Sequence, residues 1–210
     1  MKRMHAVLTG DLVLSTRSAP AQVDQAMALI ETTARHLGDT VRFQRFRGDG
    51  WQIHVGPAGK GLAALVCIAA RLRALDGLAS RIALGVGEVH GLDKDSLGQA
   101  GGMAFVASGR ALDAMAPGQR LALAGPGIDP LHHALMAYVD AQVQGWSAPQ
   151  AEAVALSLDP QGPQGQQVLA QGLGISRQAF AARLSAAGFA CIETAIKAFA
   201  ARFSEGMGDG

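Results

Sequence analysis

Apolar positions along the chain fall into two regimes, strand-like runs alternating with helical stripes in the first part and helical stripes alone in the last. Residues 5 to 14 (His-Ala-Val-Leu-Thr-Gly-Asp-Leu-Val-Leu) are a nearly unbroken apolar run of strand length, which reads as a buried strand. Val23, Ala26, Met27, Ile30, Ala34 and Leu37 recur at helical spacing and predict a helix over 20–37. Residues 41–47 and 51–55 predict a hairpin closed by Gly48-Asp49-Gly50, a turn-forming sequence. A helix over 60–75 and a strand over 80–90 complete the order β-α-β-β-α-β, the ferredoxin-like pattern. A right-handed crossover then makes the first two strands parallel, with the third between them running the other way.

Beyond this, 92–102 reads as a polar loop and 103–115 as a helix stopped by Pro117-Gly118. Residues 119–124 are a short strand candidate, and Gly125-Pro126-Gly127 is a break. The remainder is helical. Asp129–Gly145 carries Leu131, Leu135, Met136 and Val139 at helical spacing, and Ser147 with Gln150 has the form of a capping box before a helix over 148–158. After a polar Gly/Pro/Gln loop, a helix ends in Gly172-Leu173-Gly174-Ile175, and Ser176 stands at the cap position of a second helix that turns Ala179, Phe180 and Leu184 inward. A tight turn, an apolar plug and a capped helix with polar residues in its first turn are what a helix-turn-helix needs, because the recognition helix must lean on its partner while its start reaches DNA. The expected fold class is therefore α+β: an α/β domain over 1–127, a connecting helix over 128–146, and a small all-α domain over 147–210 ending in a Gly-rich tail.

Candidate chemistry concentrates at one edge of the expected sheet. Strand one ends in Gly10-Asp11 and the hairpin turn contains Asp49, and the topology puts both at the same rim. A lone Asp in such a turn ordinarily bonds its own backbone. Two carboxylates close together repel, and a hard cation such as Mg²⁺ or Mn²⁺ relieves this while keeping positions for substrate phosphates. Ser15 and Thr16, before the first helix, are placed to assist a phosphate, and equally ordinary as loop residues. Arg42, Arg45 and Arg47 lie on the second strand. The guanidinium fork suits phosphate, although Arg42 reads as a solvated arginine and Arg47 stays open between the two readings. Arg110 follows the small residues Ser108-Gly109, which permit close approach of a ligand or partner. Glu88 and His90 read as loop residues, without the ligand spacing of a zinc site.

Composition narrows the function classes. The chain has 210 residues, 49% hydrophobic and 17% charged, with a formal net charge of +1. That is enough apolar material for a real core and excludes both a disordered chain and a uniformly basic nucleic-acid binder, so any DNA contact must be local. Cys67 and Cys191 stand far apart in helical patterns and read as buried, reduced thiols. The apolar runs are broken before they reach a spanning length, and no leader-like segment opens the chain, so a cytoplasmic protein is expected.

The motifs Thr9-Gly10-Asp11, Gly48-Asp49-Gly50, Ala83-Leu84-Gly85-Val86-Gly87-Glu88-Val89 and the helix Phe105 to Leu112 follow one another as in the class III nucleotidyl cyclase catalytic domain. They are more similar still to the SatD-like proteins, whose first strand ends in Gly-Asp and whose later strand reads much like Gly-Val-Gly-Glu-Val. The resemblance covers residues 1 to about 125 and implies a nucleotide cyclase-like domain. In it, Asp11 and Asp49 match the metal-binding aspartates, and Arg110 matches the catalytic arginine that steadies the transition state. Two positions depart from the cyclase pattern: Val106 stands where cyclases carry asparagine, and Arg45 stands near their base-recognising lysine. Residues 147 to 203 resemble the helix-turn-helix of bacterial regulators and sigma-factor-like domains. Ser176, Arg177, Gln178 and Arg183 are then the DNA-binding candidates, and few cations per chain imply a homodimer on DNA. The reading that follows is a SatD-like transcription regulator whose degenerate cyclase-like domain binds a nucleotide or partner or dimerises. The alternative is a metal-dependent nucleotidyl cyclase with a regulatory helical tail.

Overall fold

The computed structural model describes residues 3–13, 20–46, 48–75, 78–93, 96–159 and 165–204. Its centre is a five-stranded mixed sheet in the order β2-β3-β1-β4-β5, formed by β1 (His5–Leu12), β2 (Arg42–Arg45), β3 (Gly50–Pro57), β4 (Ser80–Gly87) and β5 (Leu121–Ala124). β3 and β4 flank β1 antiparallel, β2 pairs antiparallel with β3, and β5 adds parallel to β4. β2 therefore runs in the direction of β1 with β3 between them, as the crossover argument requires.

Alternation along β1 assigns the two faces of the sheet. Ala6, Leu8 and Leu12 are buried among the apolar residues of α1 (Pro20–His36) and α2 (Gly61–Ala74). At Gly61, the first residue of α2, an added Cβ would lie 2.7 Å from Leu84 and 2.8 Å from Ala6, so this helix lies directly on that face. Val7, Thr9 and Asp11 point the other way, toward α3 (Met103–Asp113). Here Gly85 and Gly87 remove the side chains that would hold α3 off: a Cβ at Gly85 would lie 2.6 Å from the Ser108 amide, and one at Gly87 2.7 Å from the Ala104 amide. With the helix this close, the Thr9 and Ser108 hydroxyls hydrogen-bond at 2.7 Å, and Gln52 donates to Thr9 at 2.9 Å.

The rest of the chain is α4 (Pro130–Gly145), α5 (Ala148–Ser157), α6 (Gln166–Gly172), α7 (Arg177–Ala186) and α8 (Phe189–Ser204). α4 starts at Asp129, whose carboxylate accepts from the Leu131 and His132 amides at 2.9 and 3.1 Å. α5 packs on α2, and α8 packs on α2 and on the 3-10 turn Ala58–Lys60 that leads out of β3. Trp146 locks the junction: its indole N–H donates to the Ala187 carbonyl and its own carbonyl accepts from Arg73, both at 2.8 Å. Arg71 and Asp159 form a further ion pair at 2.6 Å. One apolar core runs from Trp51 and Ile53 in the sheet to Phe180, Ile192 and Phe199 in the last helices, so the expected all-α part shares its core with the sheet.

The cysteines divide against expectation. Cys67 is buried in α2, and burial pushes its thiol pKa up, whereas Cys191 lies on the exposed side of α8. An amphipathic helix at the surface must turn some residues outward, and the helical stripe of α8 is carried by Ile192, Ala195 and Phe199 instead. Among the described residues, no single helix is long and apolar enough to cross a membrane.

Candidate functional site

Among the described residues, candidate polar groups gather at three places on this fold. The first is the rim expected to hold the two aspartates. Asp11 pairs with Gly50 across the β1–β3 ladder, and the Leu12 amide donates to the Asp49 carbonyl at 3.2 Å, so the chain does bring the two positions together. The same register places Arg81 of β4 opposite Asp11 on the other side. Its Nε donates to Asp11 Oδ1 at 2.9 Å and its Nη2 to Oδ2, a two-point clamp on the carboxylate. The hydrogen bond to Asp11 raises the Arg81 pKa above its ordinary value, and the charges of Asp113 and Asp49 add to it. The Arg81 guanidinium thus neutralises the Asp11 carboxylate. With both Asp11 oxygens engaged, the donor set does not fit a pair of Mg²⁺ or Mn²⁺ ions, since a cation would first have to displace Arg81. No cluster of three or more His, Cys, Asp or Glu that could hold a metal ion occurs among the described residues.

The other residues expected around that rim are dispersed. Arg45 reaches across to Asp24 of α1 at 3.1 Å and toward the Gly48 carbonyl at 3.4 Å, bracing the hairpin against the helix. Arg110 lies on the flank of α3 that faces β5 and α4, where it borders an open groove of about 420 Å³ with Ala122, Met136 and His133. No hydrogen bond or ion pair joins Arg110 to Asp11 or Asp49 among the described residues. Ser15, Thr16 and Arg47 lie outside the described residues. Arg81 went unassigned in the sequence, where it opens an apolar strand like any solvated arginine. Its position opposite Asp11 depends on the β1–β4 register.

The second place is the opposite end of the sheet, where β1 begins and β3 ends. His5 Nδ1 and His54 Nε2 hydrogen-bond at 2.9 Å, with the rings tilted at 32° and their centroids 5.1 Å apart. His54 is only 4% exposed. Burial is the largest cause of a pKa lowered to about 4, the charges of His5 and Arg42 lower it further, and the Thr40 backbone oxygen works the other way. The pKa of His5 is lowered as well, first by burial and then by Arg3. Both imidazoles are therefore predominantly neutral at pH 7, one donating to the other.

The third place is the surface made by α6 and α7. α6 ends at Gly172, and Gly174 takes a φ of +66°, a left-handed conformation that glycine adopts without strain. Ile175 then tucks back, its amide donating to the Ala170 carbonyl at 3.0 Å. Ser176 caps α7, its hydroxyl accepting from the Ala179 amide at 3.1 Å. Phe180 and Leu184 are buried, while Ser176, Arg177 and Gln178 are exposed and share a shallow hollow with Gln166. Arg183 departs from the expected DNA-contacting set: it turns inward to an ion pair with Glu152 of α5 at 3.1 Å. Six residues separate Arg177 from Arg183, which is well short of two full turns, so the two do not share a face.

No family model and no curated protein matches this chain.

Proposed function

We infer that the chain is a DNA-binding regulator of the SatD-like kind, in which α7 reads duplex DNA and the sheet-bearing part serves dimerisation or the binding of a nucleotide or partner. The observation that carries this reading is the start of α7. A helix end capped by Ser176 presents Arg177 and Gln178 to solvent, braced from behind by Phe180 and Leu184. Arginine and glutamine are suited to base edges and phosphates in the major groove, and the helix N-terminus itself favours phosphate. Supporting the cyclase-like part of the reading, β1 to β4 and the helices between them follow the β-α-β-β-α-β order in the antiparallel arrangement of a ferredoxin-like module, with β5 as an addition. The scarcity of cations beside Arg177 favours a two-fold dimer, because a few phosphate contacts per chain hold DNA weakly and with strong salt dependence.

The alternative, a metal-dependent nucleotidyl cyclase using Asp11 and Asp49, draws less support. Arg81 occupies Asp11, and Val106, four residues before Arg110, offers no amide to a ribose. Incubation with ATP or GTP and Mn²⁺ that gives cyclic product, abolished in Asp11→Ala, would reverse this preference.

The test of DNA binding is fluorescence anisotropy on duplexes enriched from a random library by the full-length protein, repeated at several salt concentrations. The Arg177→Ala/Gln178→Ala variant is expected to lose about tenfold or more in affinity for the enriched sequence and to show a shallower salt dependence. Binding unchanged in that variant, with the same salt slope, sinks the reading of α7 as the recognition helix.

A further inference from the structure

Next to the histidine pair is a hollow of about 360 Å³, within the range of small-molecule sites. Its wall includes Arg3, His5, Thr40, Arg42, His54 and Asp93. We propose that this hollow binds a small phosphate monoester, its phosphate held by Arg42 and Arg3 against the His5–His54 pair.

Charge is the first support. Two guanidinium groups meet here, and no ion pair ties either of them to a carboxylate among the described residues. Arg42 donates from Nη1 to the Asp39 and Val41 carbonyls at 2.5 and 3.0 Å, which fixes the side chain, while its Nε is buried with no partner. Buried donors are ordinarily satisfied, so an unused donor on a fixed guanidinium that lines the hollow favours an anion beside it. His54 is the second support. It is almost wholly buried and lines the hollow, and its Nδ1 makes no hydrogen bond of good geometry, although the Thr40 backbone oxygen interacts with the ring. Pro57 and Leu92 add an apolar wall on which the organic part of a monoester can rest.

The site stands at the opposite end of β1 from the Asp11 rim, and it does not depend on residues 147–204 touching DNA. A phosphate here also reverses the electrostatics of the histidines. In the free protein Arg3, Arg42 and burial all disfavour imidazolium, and among the described residues Asp93 is the acidic group on the wall. A bound dianion favours it, so binding is expected to raise the pKa of both imidazoles from their lowered values in the free protein.

The experiment is calorimetric titration of the full-length protein with inorganic phosphate and, separately, with adenosine 5′-monophosphate, alongside NMR of the His5 and His54 imidazole resonances. Binding of either probe that shifts both imidazoles, and that weakens about tenfold in Arg42→Met and measurably in Arg3→Ala, supports the proposal. Tighter binding of the nucleotide than of phosphate assigns part of the affinity to the Pro57–Leu92 wall, and equal binding assigns all of it to the anion clamp. The proposal is overturned if neither probe moves the imidazoles at millimolar concentration, or if binding persists unchanged in both variants. Arg3→Ala removes an exposed side chain from the first described residue and leaves the core intact, so its result stands even where Arg42→Met lowers stability.

Discussion

His54 shows how much one residue's surroundings change its chemistry. Its pKa falls from 6.5 to about 4 on folding, so between those values the unfolded chain binds the proton and the folded chain does not. The stabilising contribution is complete above pH 6.5 and is lost as pH falls toward 4, and His5, lowered in the same sense, adds to the loss. Urea midpoints measured at intervals from pH 7 to pH 4 are expected to fall steadily, with a flatter profile in His54→Gln. A midpoint independent of pH across that window contradicts the assignment. At this scale the sequence reveals residue types and hides partners. Asp11 and Asp49 were legible as rim neighbours because topology alone decides it. Arg81 was not, because its meeting with Asp11 depends on the register of β4 on β1. The histidine pair was hidden for the same reason and one more: the β1–β3 register shifts at Ala6/Val7, so counting along either strand does not align His5 with His54.

Elements were more legible than contacts, since each carries its own periodicity and its own stop signals. The helix over 20–36 and the turn before α7 follow from apolar spacing, Gly174 and Ser176 with little help from the rest of the fold. The strand ending at Gly87 rather than at residue 90 is where tertiary packing intervened, because α3 crosses the sheet there and the chain must leave the ladder. The cap of α7 is a local device with a local cost. Ser176→Ala removes the acceptor of the Ala179 amide and is expected to destabilise the protein by about 1 kcal/mol, read as a lowered denaturant midpoint with unchanged slope. A change well below this would mean that water satisfies the freed amide and that Phe180 and Leu184 hold α7 in place unaided.

At the scale of the whole molecule the dominant fact is the continuity of the core from the sheet into α5, α7 and α8. The sequence divided the chain at residue 127 because the strand pattern ends there, and periodicity within a helix does not say what its apolar face will meet. α2 supplies the answer: it is buried on nearly every side, because it covers the sheet on one flank and receives α5 on the other. Shared burial couples the two parts energetically. Differential scanning calorimetry of the full chain is therefore expected to give one transition, with calorimetric and van't Hoff enthalpies equal. Two resolved transitions would show that the last helices melt on their own.

One tryptophan lies within the sheet-bearing part and the other at that junction itself. Trp51 is sealed under the sheet, its indole N–H on Ser80 at 3.2 Å, and Trp146 bridges the helices to α2. Each is an intrinsic fluorophore in a buried setting. Replacing one by phenylalanine leaves a chain whose emission reports either on the sheet or on the seam between sheet and last helices, so loosening at each place can be followed optically without any attached dye.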